Sequence, residues 1–279
     1  MKIVKSIDEL REDLKRYKLE DKSIGLVPTM GYLHEGHASL IRRARAENDI
    51  VVVSDFVNPI QFGPKEDLNT YPRDLEADSK LCQEIGVDFI FAPEASEMYH
   101  DRKTFVDIEE MSDNLCGAKR PGHFRGVCTV CTKLFNITGA NRAYFGQKDA
   151  QQVAIIKKVV EDLNIPIEII ARPIVREDDG LALSSRNTYL SKEERKAALC
   201  LSKAIFKGKE MAKSSQSLDK ILEEMKEIIE NEELAKIDYI NAVDLVTMKD
   251  AKDLDGDRLI AIAVYIGKTR LIDNFIYRA

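Results

Sequence analysis

Residues 23–44 read SIGLVPTMGYLHEGHASLIRRA, and this stretch decides the fold. Residues 23–27 form a short apolar run typical of a buried strand, and residues 38–44 carry apolar side chains at helical spacing. Between the two runs lies a loop that contains Gly31, His34, Gly36 and His37. The pattern predicts a strand, a glycine-spaced loop and a helix that begins near the histidines.

The loop is suited to an anionic ligand. A helix start exposes unpaired N–H groups and the positive end of the helix dipole, and both favour phosphate. Two of the four histidines of the chain, His34 and His37, fall in this loop, which favours a functional role. The same spacing also fits a pair of capping residues or a metal site, although no third ligand follows on the same element.

The chain from about residue 22 to residue 174 alternates strand-like and helix-like runs. The predicted strands cover residues 24–27, 50–56, 88–91, 143–145 and 167–171, and the predicted helices cover residues 38–47, 73–85, 124–137 and 150–164. Connections of this length allow right-handed crossovers, so we expect an α/β fold with a doubly wound parallel sheet. Ligands of such sheets bind beyond the carboxyl ends of the strands. Four residues follow predicted strand ends: His34, Asn58, Lys148 and Val175.

The remainder of the chain has a different pattern. Residues 191–213 and 218–231 read as long charged helices, and residues 237–243, 258–266 and 270–277 read as strands. This order predicts a smaller α+β domain with an antiparallel sheet. We place the boundary after residue 175, which gives an N-terminal domain over 1–175 and a C-terminal domain over 176–279.

Composition and charge limit the class of protein. Apolar residues make up 44% of the chain, charged residues make up 32%, and the net charge is −6. Because the net charge is negative, the protein as a whole has no positive electrostatic field that would attract nucleic acid or an acidic membrane. The first residues lack a signal-peptide core, and no apolar run approaches the ~18 residues of a membrane span. We therefore expect a cytoplasmic protein without nucleic-acid or membrane partners.

The five cysteines indicate a reducing compartment, because an odd number in a chain of this size argues against a disulfide framework. Cys128 and Cys131 form a Cys-x-x-Cys pair that could be a redox dithiol or half of a zinc site. They lie in the apolar run 126–135, which has no second pair. We interpret them as buried core residues.

Four motifs carry a resemblance to a known family. The His34-x-Gly36-His37 pattern resembles the signature of the class I nucleotidylyltransferase superfamily, which includes the class I aminoacyl-tRNA synthetases. PTMG (28–31) and this pattern together form the first motif. With NPIQFG (58–63), GQKD (146–149, followed by Gln151 and Gln152) and SSRN (184–187), it closely resembles the pantothenate synthetase (pantoate–β-alanine ligase) family. The motifs occur in the family's order and span residues 28–187, about two thirds of the chain.

The resemblance implies an activity and its substrates. Enzymes of this family condense (R)-pantoate with β-alanine through a pantoyl adenylate, so we expect this activity. ATP is then a substrate, and Mg2+ is expected to accompany it. The resemblance also implies a Rossmann-like catalytic domain and a homodimer. We expect His37, and secondarily His34 and Lys148, to stabilise the charge that develops in the reaction, and the resemblance assigns the role of proton donor to His37.

The resemblance also assigns the remaining ligands residue by residue. Pantoate is bound by Gln61 and Gln152, and β-alanine by Gln61. The ATP ligands it implies are Met30, Gly31, Tyr32, Leu33, His34, Glu35, Gly36, His37, Gly146, Gln147, Lys148, Asp149, Val175 (through its backbone), Leu183, Ser184, Ser185 and Arg186.

Each motif has a simpler structural alternative. Asn58 before Pro59 is commonly a turn residue, and Asp149 is suited to capping the helix that follows it. The hydroxyls and guanidinium of residues 184–187 match a polyphosphate, but the segment is also suited to a cap or a linker. Arg120 and His123 flank a Pro-Gly turn before a helix, and we leave both out of the predicted site.

Two rival functions remain open from the sequence. A different adenylyl or cytidylyl transferase on the same fold would use the histidine loop but would have no use for β-alanine. A non-catalytic metal-binding module would use His34, His37 and the cysteine pair, and it would hold stoichiometric zinc.

Overall fold

The computed structural model describes residues 1–64, 66–214 and 216–279. It divides into two compact units. The first comprises residues 1–108, 120–147 and 155–173, and the second comprises residues 109–119, 148–154 and 174–279. The two-domain division after residue 175 stays a prediction.

The first unit is built on a six-stranded sheet in the order β1-β4-β3-β2-β5-β6, with every neighbouring pair parallel. Its strands are β1 (Lys2–Val4), β2 (Ile24–Thr29), β3 (Ile50–Asp55), β4 (Phe89–Phe91), β5 (Arg142–Gly146) and β6 (Glu168–Arg172). Its helices are α1 (Ile7–Leu19), α2 (Glu35–Glu47), α3 (Leu75–Ile85), α4 (Ala95–Met98) and α6 (His123–Thr138).

The central strands are apolar on both faces. Val27, Val51 and Val53 are fully buried and belong to one core cluster with Ile41 of α2 and Tyr144 of β5. Parallel sheets require this continuous apolar pattern because helices cover both of their faces. The α/β fold class predicted from the sequence is confirmed.

The strand order changes direction between β2 and β5. The chain runs outward from β2 through β3 to β4, and it then returns to pair β5 against the other side of β2. Ligands of open α/β sheets bind beyond the strand ends at such a switch point. The loop after β2 carries the histidines, and Gln147 follows the end of β5.

The second unit contains a three-stranded antiparallel sheet in the order β7-β8-β9. Its strands are β7 (Ala235–Asp244), β8 (Arg258–Ile266) and β9 (Thr269–Tyr277), and its helices are α5 (Leu115–Lys119), α8 (Lys192–Ala197), α9 (Leu199–Lys213) and α10 (Leu218–Glu230). Helix α7 (Ala150–Asp162) begins in this unit, and its residues from 155 onward belong to the first unit. The unit's core packs Ile205, Ile221 and Met225 with Ile262 and Phe275.

Several elements differ from the sequence prediction, which did not include α1, α4 and α5. The single helix predicted over 191–213 is wrong, because the chain forms α8 and α9 with a break at Ala198. Ala198 N–H still bonds to the Glu194 carbonyl, but the Ala198 carbonyl accepts from Leu201 at the shorter i+3 spacing, and this tightens the turn. Strand β1 was not predicted, because three residues give no readable periodicity.

Within the described residues, no helix is long and apolar enough to cross a membrane.

Candidate active site

The loop after β2 is shaped by two residues with positive φ. Gly31 has φ +75° and Tyr32 has φ +51°, so the chain reverses sharply before α2. A Cβ on Gly31 would lie only 2.2 Å from Asp55 Oδ1, so this position requires glycine for both its conformation and its space. Thr29 Oγ1 supports the turn: it donates to the Ser54 carbonyl at 2.7 Å and accepts from Gly31 N–H at 3.2 Å.

The two histidines cap the start of α2, as one of the alternatives read from their spacing suggested. His34 is the N-cap residue, and its Nδ1 accepts from Gly36 N–H at 3.1 Å. His37 Nδ1 accepts in turn from His34 N–H at 3.3 Å. The rings lie side by side with centroids 4.1 Å apart. Because each Nδ1 accepts, the neutral rings carry their protons on Nε2.

These caps are compatible with a chemical role. Both half-buried imidazoles stand at a helix start, where backbone N–H groups and the helix dipole favour negative charge. The next residue in the loop, Glu35, has a partner on its own helix, because its carboxylate pairs with the Arg42 guanidinium. That pairing lowers the pKa of Glu35.

A pair of carboxyl groups, one buried and one half-buried, lies under this loop. Asp78 of α3 is 2% exposed, and its two oxygens accept from Tyr32 N–H at 2.7 Å and Leu33 N–H at 2.6 Å. Asp55, at the end of β3, hydrogen-bonds to Asp78. Burial and the charge of Asp78 raise the pKa of Asp55 to about 7, and burial also raises the pKa of Asp78. Below about pH 7 the pair therefore shares one proton, with Asp55 as donor and Asp78 as acceptor.

The sequence analysis missed this pair. Asp55 was the last residue but one of a predicted strand, and Asp78 lay within a predicted helix. One signal was available: Asp78 and the buried Cys82 are four residues apart and share the inward face of α3. An acidic residue on an otherwise apolar helix face indicates a buried partner.

Gln61, predicted to bind substrate, lies in a short 3-10 turn (Pro59–Gln61) after β3 and is 8% exposed. Asn58 begins the turn, and its Nδ2 donates to Gln61 Oε1 at 2.9 Å. Gln61 Nε2 lies 3.1 Å from Met30 Sδ, so the structure brings together two of the predicted site residues. The turn role weighed for Asn58 is present, and it acts directly on Gln61.

His123 also contacts this turn, and Arg120 contacts His123, although both residues were left out of the predicted site. His123 Nδ1 lies 2.9 Å from the Gln61 carbonyl, and His123 Nε2 lies 2.9 Å from Arg120 Nη1. Arg120 makes a two-pronged ion pair with Glu66, at 2.8 Å from Nε and 2.7 Å from Nη2.

The second unit holds Lys148, Asp149, Gln152, Val175 and residues 183–186, whereas Gly146 and Gln147 belong to the first unit. Lys148 is half-buried in a 3-10 turn (Gln147–Asp149), and its carbonyl accepts from Asn274 Nδ2 at 2.9 Å. With Ser184 and Asn187 it lines a small cavity, whose wall includes Asp273. Asp273 is 1% exposed and forms a bidentate pair with Arg176 at 2.6 and 2.9 Å. Burial raises the pKa of Asp273, against the opposing effect of Arg176.

The serine–arginine motif forms a capped turn. Ser184 precedes a 3-10 helix (Ser185–Tyr189), and its Oγ accepts from Arg186 N–H at 3.3 Å. Leu183 N–H donates to the Val175 carbonyl at 3.0 Å, so the predicted adenine contact of Val175 would use the remaining capacity of its backbone. The capping alternative weighed for this segment is therefore present in the structure.

The two neighbouring glutamines of α7 have different environments. Gln151 is buried and holds the segment 109–119: its Oε1 accepts from Cys116 N–H at 3.0 Å, and its Nε2 donates to the carbonyls of Met111 and Asn114 at 3.0 and 2.8 Å. Gln152, the predicted pantoate ligand, is half-buried. Its role stays a prediction.

The cysteine pair lies in the core, as predicted. Cys128 and Cys131 are buried on α6, and burial raises the pKa of both thiols, that of Cys128 to about 12. Among residues 1–64, 66–214 and 216–279, no group of three or more His, Cys, Asp or Glu side chains is placed to hold a metal ion.

Comparison with known proteins gives full-length matches. The family model described as pantoate-beta-alanine ligase matches residues 2–276. A pantothenate synthetase of Clostridium botulinum Type A is 58% identical, with 100% of each chain covered, and one of Clostridium acetobutylicum is 58% identical, with 99% of each chain covered.

Solved structures agree with these matches. The crystal structure of pantothenate synthetase from Thermus thermophilus has a TM-score of 0.94, 45% identity and coverage of 99% of both chains. The pantoate–β-alanine ligase of Francisella tularensis, complexed with β,γ-ATP and β-alanine, has a TM-score of 0.83 and 37% identity, with 99% of this chain and 97% of that chain covered. This chain belongs to the pantoate–β-alanine ligase family.

Proposed function

We infer that this protein condenses (R)-pantoate with β-alanine in a reaction driven by ATP, giving pantothenate, AMP and pyrophosphate. The full-length family match supports the substrates. The structural observation that carries the proposal is the pair of imidazoles at the start of α2, held by their own capping hydrogen bonds beyond the carboxyl end of β2.

In the first step a pantoate carboxylate oxygen bonds to the α-phosphorus of ATP. The bond from that phosphorus to the bridging oxygen breaks, and pyrophosphate leaves. His37 and His34 present Nε2–H hydrogen-bond donors to the charge that develops on the phosphate, and His37 fills the donor role that the family resemblance assigns to it. Each well-placed donor of this kind lowers a barrier by about 2.7–4 kcal/mol. Because the capping bonds already fix the Nδ1 atoms, little reorganisation is needed.

In the second step the amine of β-alanine attacks the acyl carbon of pantoyl adenylate. The bond from that carbon to the AMP oxygen breaks, and the nitrogen releases a proton to solvent. No covalent enzyme intermediate is required, so the protein contributes alignment and charge stabilisation. Gln61 and Gln152 orient pantoate, and Gln61 also contacts β-alanine.

The remaining contacts are assigned to ATP. Lys148 supplies a compact positive charge to the phosphates, and Ser184, Ser185 and Arg186 hold the pyrophosphate as it leaves. The lining of one cavity by both Lys148 and Ser184 supports this division of roles. Further ATP contacts are proposed for Met30, Gly31, Tyr32, Leu33, Glu35, Gly36, Gly146, Gln147, Asp149, Val175 and Leu183.

Magnesium would enter with ATP. Mg2+ is commonly held by substrate phosphates and water with few protein ligands. When bound, the ion neutralises phosphate charge. We also propose a homodimer, on family resemblance, and a cytoplasmic location, which the five free cysteine thiols support.

Pyrophosphate exchange tests both steps. With purified protein, ATP and Mg2+, pantoate alone should drive exchange of labelled pyrophosphate into ATP, and AMP and pantothenate should accumulate only after β-alanine is added. Exchange that does not depend on pantoate, or AMP formation without an adenylate step, would contradict the proposal.

His37→Ala tests the role of the histidine loop. The variant should lower pantoate-dependent exchange by at least about 10²-fold. It also removes a capping acceptor, so its fold must be checked by circular dichroism. His100→Ala, at an exposed histidine, is the matched control. Near-normal turnover in the His37 variant would overturn the assignment.

A further inference from the structure

The backbone carbonyl of Gly126 fixes the orientation of the buried Asn58 side-chain amide and therefore the direction of its hydrogen bonds. A carbonyl only accepts hydrogen bonds, so the Asn58 atom 3.2 Å away must be the donor Nδ2. The same Nδ2 group donates its second proton to Gln61 Oε1 at 2.9 Å. Asn58 Oδ1 then faces the Tyr99 hydroxyl, which donates to it at 2.7 Å. Asn58 is 1% exposed, so water does not replace these partners.

These hydrogen bonds determine which end of the Gln61 side-chain amide faces a substrate. Because Oε1 is held by Asn58, the Nε2–H donors point the other way, towards the weakly accepting Met30 Sδ. Tyr99 can act as donor only while it is protonated, and burial raises the pKa of Tyr99 well above its ordinary value. The orientation is therefore stable over the working pH range.

A second contact fixes the Gln61 backbone. Its carbonyl can only accept, so His123 Nδ1 carries the proton, and Arg120 can only donate, so His123 Nε2 is the acceptor. The imidazole is thus a neutral ring in one tautomer. Glu66 holds the Arg120 guanidinium with two hydrogen bonds, which keeps the donor in place.

Helix α6 packs directly on the same turn. A Cβ on Gly126 would lie 2.5 Å from the Ile60 carbonyl oxygen and 2.6 Å from Gln61 Cα, so only glycine permits this approach. His123 and Gly126 are three residues apart and share a face of α6. The segment from Arg120 to Gly126 therefore encloses the Gln61 backbone, which explains the Arg-Pro-Gly-His motif.

We propose that Tyr99, through Asn58, and Arg120, through His123, are positioning residues that present the Gln61 amide as a fixed pair of donors to an oxygen acceptor of the substrate. The inference rests on the proposed role of Gln61 and deepens it. Gln61 recognises a carboxylate or hydroxyl oxygen, and the ammonium group of β-alanine is excluded from this contact because both groups would be donors.

Tyr99→Phe removes the hydroxyl while keeping the ring. Loss of one orienting hydrogen bond should raise the KM for pantoate by about 5- to 10-fold, while kcat and the KM for ATP change less than about twofold. Tyr144→Phe is the matched control, because Tyr144 is a fully buried tyrosine whose hydroxyl donates to Glu47 at 2.9 Å and accepts from Asn48 at 2.7 Å. The control should lose stability without a change in the KM for pantoate.

The backbone contact is tested with two replacements of His123. His123→Asn retains a donor near the place of Nδ1 and should keep a KM for pantoate within about twofold of wild type, whereas His123→Ala should raise it by about 5-fold or more. Equal effects of the two folded variants would overturn the role of the Nδ1 donor.

A double-mutant cycle separates positioning from structural effects. If Tyr99 acts through Gln61, then Tyr99→Phe should have no further effect on the KM for pantoate in a Gln61→Ala background. Additive effects would overturn the inference. A Gln61→Ala variant with a normal KM for pantoate would also overturn the inference, together with the proposed role of Gln61. Pantoate-dependent exchange by the wild-type protein would show that the proposed function itself still holds.

Discussion

Asp55→Asn should make the protein more stable than wild type as the pH rises. Asparagine cannot ionise, yet its Nδ2–H can still donate to Asp78 as the protonated Asp55 does. In wild type the native pKa of Asp55 is about 7, whereas an unfolded aspartate has a pKa of about 3.9. Between these values the native state binds more protons than the unfolded state, so wild-type stability falls as the pH increases.

The magnitude follows from this window. Each pH unit within it changes the free energy of unfolding by about 1.4 kcal/mol. From pH 5 to pH 8 about two such units are crossed, and partial exposure of Asp55 to water reduces the effect. The stability advantage of Asp55→Asn should therefore grow by about 1–2 kcal/mol between these two pH values. Asp74 and Cys82 are the other titratable groups that act on the pair, and Cys82 stays protonated because burial raises its pKa to about 12.

Urea unfolding followed by circular dichroism at pH 5 and pH 8 measures the difference. Asp49→Asn is the control. Hydrogen bonds from Ser23 lower the pKa of Asp49, so this group is ionised in both states at both pH values and its substitution should give a pH-independent difference. If the Asp55→Asn difference stays level within about 0.5 kcal/mol, the shared proton is refuted.

Three further substitutions have defined outcomes. Gly31→Ala forces φ +75° on a residue with a Cβ and places that atom 2.2 Å from Asp55 Oδ1. The variant should lose at least about 1–2 kcal/mol of unfolding free energy and should show slower pyrophosphate exchange. An unchanged urea midpoint would contradict this prediction. Lys148→Ala should slow pantoate-dependent exchange by about 10²-fold without altering the circular dichroism spectrum, and a smaller than threefold effect would remove Lys148 from the phosphate site. Asp273→Ala leaves Arg176 without its bidentate partner and should destabilise the protein by about 3 kcal/mol in urea unfolding, whereas a loss below about 1 kcal/mol would show that the pair adds little.

The sequence by itself determined the α/β class and the second, antiparallel sheet. Apolar runs such as Val51–Val53 and the helical spacing of residues 38–44 are local signals, because period and burial follow directly from the backbone geometry of strands and helices. The histidine loop was also readable, since a helix start and its caps involve residues only three positions apart. Family resemblance added the substrates.

Only the tertiary structure decided how the site residues are held. Gln61 and His123 are 62 positions apart, and no local pattern pairs them. The same is true of Asp55 and Asp78, whose shared proton depends on β3 and α3 meeting beneath the Gly31 turn. Tautomers, amide orientations and raised pKa values arise from such long-range contacts, because each depends on which donor or acceptor the folded chain brings within about 3 Å.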